Sequence, residues 1–170
     1  MSASPISLTI ERAVLARALA HLSRVIEKRN TLPILNNVRL DARDDVVALT
    51  GTDLDIEART EAACETDGQG AITVPAATLN DIVRKLPDGA AVRLAWEEGA
   101  GTVALTAGRS RFKLPALPVE DFPAFSATEM THSFSIAGKT LAALFERVSF
   151  AISTEETRYY LNGIYFHAVT

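Results

Sequence analysis

The chain has 170 residues, 48% hydrophobic and 22% charged, with a formal net charge of −4, which excludes a uniformly basic nucleic-acid binder but not one whose cations are sorted onto one surface. A single cysteine, Cys64, excludes an intrachain disulfide and a multi-cysteine metal site and suits a reducing cytoplasm. Met1–Ser7 lacks the features of a signal peptide, and no stretch approaches the ~20 apolar residues of a membrane span.

After a tail over 1–7, an alternating run Ser7-Leu8-Thr9-Ile10 predicts a strand, and a helix is expected from Arg12 to about Lys28. Within it Leu15, Ala18, Leu19, Leu22, Val25 and Ile26 recur at three- and four-residue steps and form one apolar face. Pro33 forbids continuation, and Ile34–Leu40, Val46–Thr50 and Ile56–Cys64 read as strands, the last beyond a Gly51-Thr52-Asp53 turn. The same order returns with a strand at Ala71–Val74 and Pro75 at a helix start. Leu79, Ile82, Val83 and Leu86 then form a stripe closed by Pro87-Asp88-Gly89, before strands at Val92–Trp96, Thr102–Thr106 and Ser110–Leu114. Residues 115–131, with Pro115, Pro118 and Pro123, read as a linker. Ser133–Ile136 reopens the pattern with a strand, followed by a helix near Lys139–Ile152 and a strand at Leu161–Ala168.

That reopening is a repeat at the level of letters. Sliding the chain by 126 positions sets residues 7–42 on 133–168, and ten of the 36 pairs are identical, among them Ile10, Leu15, Ile26, Leu35 and Asn36 with their partners. A repeat of domain size fixes the architecture before any local detail does. The expected fold class is α+β: repeated strand–helix–three-strand units, helices on one side and antiparallel sheet on the other, in a whole unit over 8–126 and an incomplete one over 127–170. Such units tend to build an extended or closed array.

No nucleophile elbow, phosphate-cradling loop, dinucleotide fingerprint or Cys-x-x-Cys occurs, and His21, His132 and His167 are scattered, so no catalytic site, metal site or cofactor is expected. The best enzyme-like cluster is Asp53, Asp55 and Glu57, which share one face if their segment is an extended strand; a solvated face after a turn is the alternative. Charge sorting is the stronger signal. Arg17, His21, Arg24 and Lys28 are spaced to lie on one helix face away from the apolar stripe, and Arg29 extends that surface. Residues 7–30 carry five Lys/Arg against two acids (+3), the remainder twelve against nineteen (−7). Such a stripe attracts phosphates without reading sequence. Arg84 and Lys85 on the second helix, and Lys139 and Arg147 on the third, add less to it.

The segments Arg29-x-Thr-Leu-Pro-Ile-Leu-x-Asn, Leu49-Thr-Gly-Thr-Asp-Leu, Val74-Pro-Ala, Gly108-Arg-Ser-Arg-Phe, Asp121-Phe-Pro and Arg158-Tyr-Tyr-Leu-Asn-Gly, in that order, resemble the bacterial DNA polymerase III beta sliding clamps. The resemblance implies the DNA-clamp fold. It also implies a non-catalytic processivity factor whose full-length homodimer closes as a ring around double-stranded DNA, without reading its sequence. Its implied partners are the polymerase III catalytic subunit, the clamp loader and other clamp-binding repair and replication proteins. By position, Arg17 and Arg29 match basic residues facing DNA, Tyr159 and Tyr160 a tyrosine pair beside the DNA path, and Leu161 a wall of the partner-peptide pocket. Arg109, Arg111, Phe112 and Leu114 match the edge strand at the subunit interface. Glu155 departs from the family pattern, putting a carboxylate where a DNA-contacting glutamine is expected. The chain stops before its second unit finishes, so alone it is expected not to clamp DNA. An open-groove nucleic-acid binder and a short clamp-derived adaptor are the alternative functions.

Overall fold

The computed structural model describes residues 5–26, 31–99, 101–123 and 133–167. It divides into two compact units, Met1–Ser126 and Ala127–Thr170.

The first unit opens with β1 (Ile6–Glu11) and α1 (Arg12–Leu22). Strands β2 (Asn37–Arg43), β3 (Val46–Thr52), β4 (Glu57–Ala63) and the short β5 (Glu65–Asp67) follow. The second half runs β6 (Gly70–Pro75), α2 (Ala76–Lys85), β7 (Ala91–Trp96), β8 (Thr102–Ala107) and β9 (Ser110–Pro115). The halves are not laid side by side. One sheet has the order β5-β1-β7-β8-β9 and the other β4-β3-β2-β6, all antiparallel. Each half therefore lends its first strand to the other half's meander, β1 lying on β7 with Leu8 opposite Leu94, and β6 on β2 with Val74 opposite Val38.

Both seams between the sheets are held by specific bonds. Asp44 and Asp45 turn the β2–β3 hairpin with φ of 50° and 59°, the left-handed pair that a two-residue hairpin with matching twist requires. The Asp45 carboxylate then accepts from the Thr66 amide at 3.0 Å, pinning that hairpin to β5. At the other seam the buried Thr73 hydroxyl accepts from Asn37 Nδ2 at 3.1 Å and donates to the Leu117 carbonyl at 2.8 Å. The stretch expected to begin a linker is thus part of the first unit as far as Phe122, which is buried. The rest of that stretch, 124–131, lies outside the described residues.

Leu15, Ala18, Leu19 and Leu22 of α1 and Ala76, Leu79 and Val83 of α2 supply one wall of the core. Alternate residues of the sheets, such as Leu40, Leu49, Leu94 and Leu105, supply the other. Burying such side chains contributes roughly 1.5–3 kcal/mol each. Two expected boundaries are corrected. Helix α1 ends at Leu22 rather than near Lys28: the Ser23 hydroxyl donates to the Ala20 carbonyl at 2.9 Å, and 23–26 continue as a turn. Pro33–Asn36 winds as a 3-10 turn, so the strand expected from Ile34 begins at Asn37.

In the second unit α3 (Gly138–Ser149) forms as expected, but Ser133–Ile136 is not in a strand, and residues 161–167 form none either. A strand needs a neighbour to bond, and the described part of this unit offers none. Phe166 stacks on Phe134 and meets Phe145 edge-on, each with centroids 6.0 Å apart, yet no residue of α3 is buried.

Candidate nucleic-acid interface

The site is built on the outward face of α1, where Ala13, Arg17, Ala20 and His21 are exposed. The helix presents this face because its opposite stripe enters the core. Both charged residues at its start are already engaged. Glu11 caps the N-terminus, its carboxylate accepting from the amides of Ala13 at 3.0 Å and Val14 at 3.1 Å, a favourable place for negative charge. Arg12 reaches the C-terminal end of α2: Nε donates to the Val83 carbonyl and a terminal nitrogen to the Arg84 carbonyl, both at 3.0 Å. It also pairs with Asp88 at 3.0 Å. Carbonyls in the last turn of a helix have acceptor capacity to spare for a guanidinium, even Val83 O, which also accepts from the Leu86 amide at 3.3 Å. Periodicity had no means of finding this role for Arg12, because its partners lie more than seventy residues away, with |i−j| of 71 and 72.

With Glu11 and Arg12 engaged, the charge left to the solvent on this face is positive. Arg17 and Arg24 are exposed, and among the described residues neither forms an ion pair. Arg24 stands on the turn after α1, not on the helix. That turn is held by Val25 and Ile26 amides donating to Leu22 O at 3.0 and 2.9 Å, and by Ile26 entering the space above Gly51. Lys28 and Arg29 lie outside the described residues. Neighbouring α2 adds exposed Arg84 and Lys85 together with Asp81.

Tyr159, Tyr160 and Leu161 belong to the second unit, on a 3-10 turn over Glu156–Leu161. The two phenol rings meet edge to face at 5.7 Å and are 78% and 72% exposed; Leu161 is also exposed. Ser153 N donates to the Leu161 carbonyl at 3.0 Å, closing the loop that displays them. The departing Glu155 carboxylate pairs with Arg158 at 3.0 Å, so its charge is locally offset. In the first unit Arg109, on the turn before β9, and Arg111 and Phe112, along β9, are exposed, whereas Leu114 is 1% exposed and belongs to the core, not to the surface.

The proposed strand face of Asp53, Asp55 and Glu57 does not exist. Asp53 accepts from the amides of Asp55 at 3.0 Å and Ile56 at 2.7 Å, and Leu54 sits at φ 85°, so the segment is a turn that consumes the first carboxylate. Among the described residues no three His, Cys, Asp or Glu side chains converge as metal ligands, and no helix is long and apolar enough to cross a membrane.

A family model described as DNA polymerase III beta subunit, N-terminal domain, matches residues 6–126. A beta sliding clamp of Caulobacter vibrioides is 49% identical over 162 residues, 95% of this chain and 44% of that protein. One of Pseudomonas aeruginosa is 41% identical over 157 residues, 92% and 42%. The solved Caulobacter crescentus beta sliding clamp superposes with a TM-score of 0.91 at 48% identity over 98% of this chain and 44% of that one. A Bartonella birtlesii sliding clamp bound to griselimycin gives 0.90 at 43% identity, with the same coverage. The chain therefore spans less than half the length of these curated relatives.

Proposed function

The chain belongs to the DNA polymerase III beta subunit family, the bacterial beta sliding clamps, and from that premise we propose that it forms the opening portion of a cytoplasmic, non-catalytic processivity factor encircling duplex DNA. The observation that carries the reading is the sorting of charge on α1 and the turn that follows it. In an acidic chain, Arg17 on a helix face otherwise made of alanine and histidine, and Arg24 on the turn, form no ion pair among the described residues. Short side chains allow a phosphate backbone to approach, and free guanidinium groups attract it while carrying no base readout. Lys28 and Arg29 extend this surface in our reading, and Tyr159 and Tyr160 flank the DNA path, with the Glu155–Arg158 pair limiting the repulsion that Glu155 would impose.

Leu161 then forms one wall of a pocket for short peptides from the polymerase III catalytic subunit, the clamp loader and other clamp-binding proteins. Arg109, Arg111 and Phe112 meet the other subunit of a homodimer, while Leu114 supports that edge from inside. The test is topological. Protein of native length should stay on nicked circular DNA in high salt and leave when the circle is cut. Loss from circle and linear form alike, steepening with salt, would instead indicate an open-groove binder.

A further inference from the structure

We propose that the cleft between α1 and α2 takes up one unpaired nucleobase, guanine in preference to the others, a proposal that rests on the DNA-encircling reading. The cleft holds about 260 Å³, room for one small ring system rather than for a larger ligand. Its floor is apolar. Leu19, Leu22 and Ile26 come from α1 and the turn after it, and Ala76 from the start of α2. Asn80, Asp81 and Arg84 also line the cleft, and among the described residues their side chains make no hydrogen bond or ion pair. The Ser23 hydroxyl beside them gives its proton to the Ala20 carbonyl and keeps its own oxygen as an acceptor. A few unspent polar groups around an apolar floor are what orients a small ligand.

Asp81 decides what that ligand is. The other unpaired charges on α1, the turn after it and α2 are positive: Arg17, Arg24, Arg84 and Lys85. On a surface that only gathered phosphate, a free carboxylate would weaken the attraction. A base edge gives it a use, because a carboxylate accepts two N–H bonds side by side. Among the four bases, guanine alone carries two adjacent N–H donors on its pairing edge, and its O6 and N7 accept from a guanidinium. Arg84 is three residues from Asp81 and four from Asn80, so both neighbour it on the helix surface. The pairing edge is free only where the base is unpaired, and unstacked bases are commonly read on that edge. Single-stranded template beside a primer end supplies such bases, so the site would add a preference for that junction to a face that otherwise holds any duplex.

The test uses free nucleosides, which carry no phosphate and so read the cleft without the basic face. Guanosine titrated into the isotope-labelled 170-residue chain should shift the NMR signals of the Asn80 side-chain amide and the Asp81 and Arg84 backbone amides, and the shifts should saturate. Adenosine, cytidine and thymidine should bind about fivefold more weakly or worse. Asp81→Asn should weaken guanosine about tenfold, whereas Arg17→Ala, outside the cleft, should leave it unchanged. Guanosine that moves none of these signals would overturn the proposal. So would four nucleosides that bind alike, or an Asp81→Asn chain that binds like its parent. Retention of native-length protein on circular DNA reads the clamp function separately. If retention fails while guanosine binds in the expected pattern, the ring reading falls and the nucleobase site is supported.

Discussion

Arg12 and Arg17 stand on one helix and have opposite employments. Arg12 is spent on carbonyls at the end of α2; Arg12→Ala should cost about 1–3 kcal/mol, seen as a lower urea midpoint at unchanged m, and Asp88→Ala about 0–1 kcal/mol, its pair being largely exposed. Arg17 faces solvent, so Arg17→Ala should leave stability within about 0.5 kcal/mol. In protein of native length it should also reduce the salt slope of DNA binding by roughly one unit. An unchanged slope would remove Arg17 from the interface. Cys64 illustrates a third kind of residue. Partial burial, then the nearby Asp45 carboxylate, raises its thiol above the ordinary range. The folded state thus favours the neutral thiol. That preference is fully present below the ordinary thiol pKa and is lost as pH rises through the folded value. Alkylation should accordingly be slower in the native than in the urea-unfolded chain at the same alkaline pH, and equal rates would refute the assignment.

At the level of elements, the apolar stripe of α1 was legible because a helix with one buried face repeats its leucines at helical steps. Its end was not. The turn after Leu22 is fixed by Ile26 settling over Gly51, a contact made through the tertiary fold. A Cβ on Gly51 would come within 2.6 Å of Ile26 Cδ1 and Cγ1. Gly51→Ala should thus destabilise by about 1–3 kcal/mol and loosen the turn that carries Arg24, measurable as faster amide exchange at Val25 and Ile26. Exchange unchanged there would show that the turn holds itself. Pro33 stops no helix, since α1 has ended eleven residues earlier, and sequence does not say that Pro33–Asn36 winds before the strand begins. The turn at Gly51-Thr52-Asp53 was legible from its residues, and of the two readings of Asp53, Asp55 and Glu57 the solvated face after a turn is the one that holds. The strands expected in the second unit have the right pattern, but pattern supplies only one side of a ladder. Spacing placed Arg17 and His21 on one exposed helix face, but it also placed Arg24 there, which stands on the turn beyond the helix end. The engagement of Glu11 and Arg12 was not visible, because it depends on which ends of α1 and α2 the fold brings together.

For the whole molecule, the two units differ in how completely they bury their apolar residues. The first holds an extensive core, whereas in the second Phe134, Phe150 and Tyr165 are among many exposed large side chains, Phe150 at 88%. Limited proteolysis should cut within 133–167 well before 5–123, and equal resistance would show that the second unit is completed by another chain or by self-association. An antibody to the first unit should detect, in extract, a protein about twice 18.3 kDa or larger, in keeping with relatives of which this chain covers 44%; a band at 18.3 kDa would favour the adaptor alternative. The exchange of first strands between halves has its own consequence for how the chain is made. β1 leaves a ribosome before the rest of its unit, but its partner β7 is some ninety positions later, with Ile6 opposite Trp96. Until then β1 has only the three residues of β5 beside it. The four-stranded sheet lies wholly within Asn37–Pro75 and can pair early. The five-stranded sheet cannot close on β1 until β7–β9 are made, so the nascent domain should complete its core only in a late, slow step.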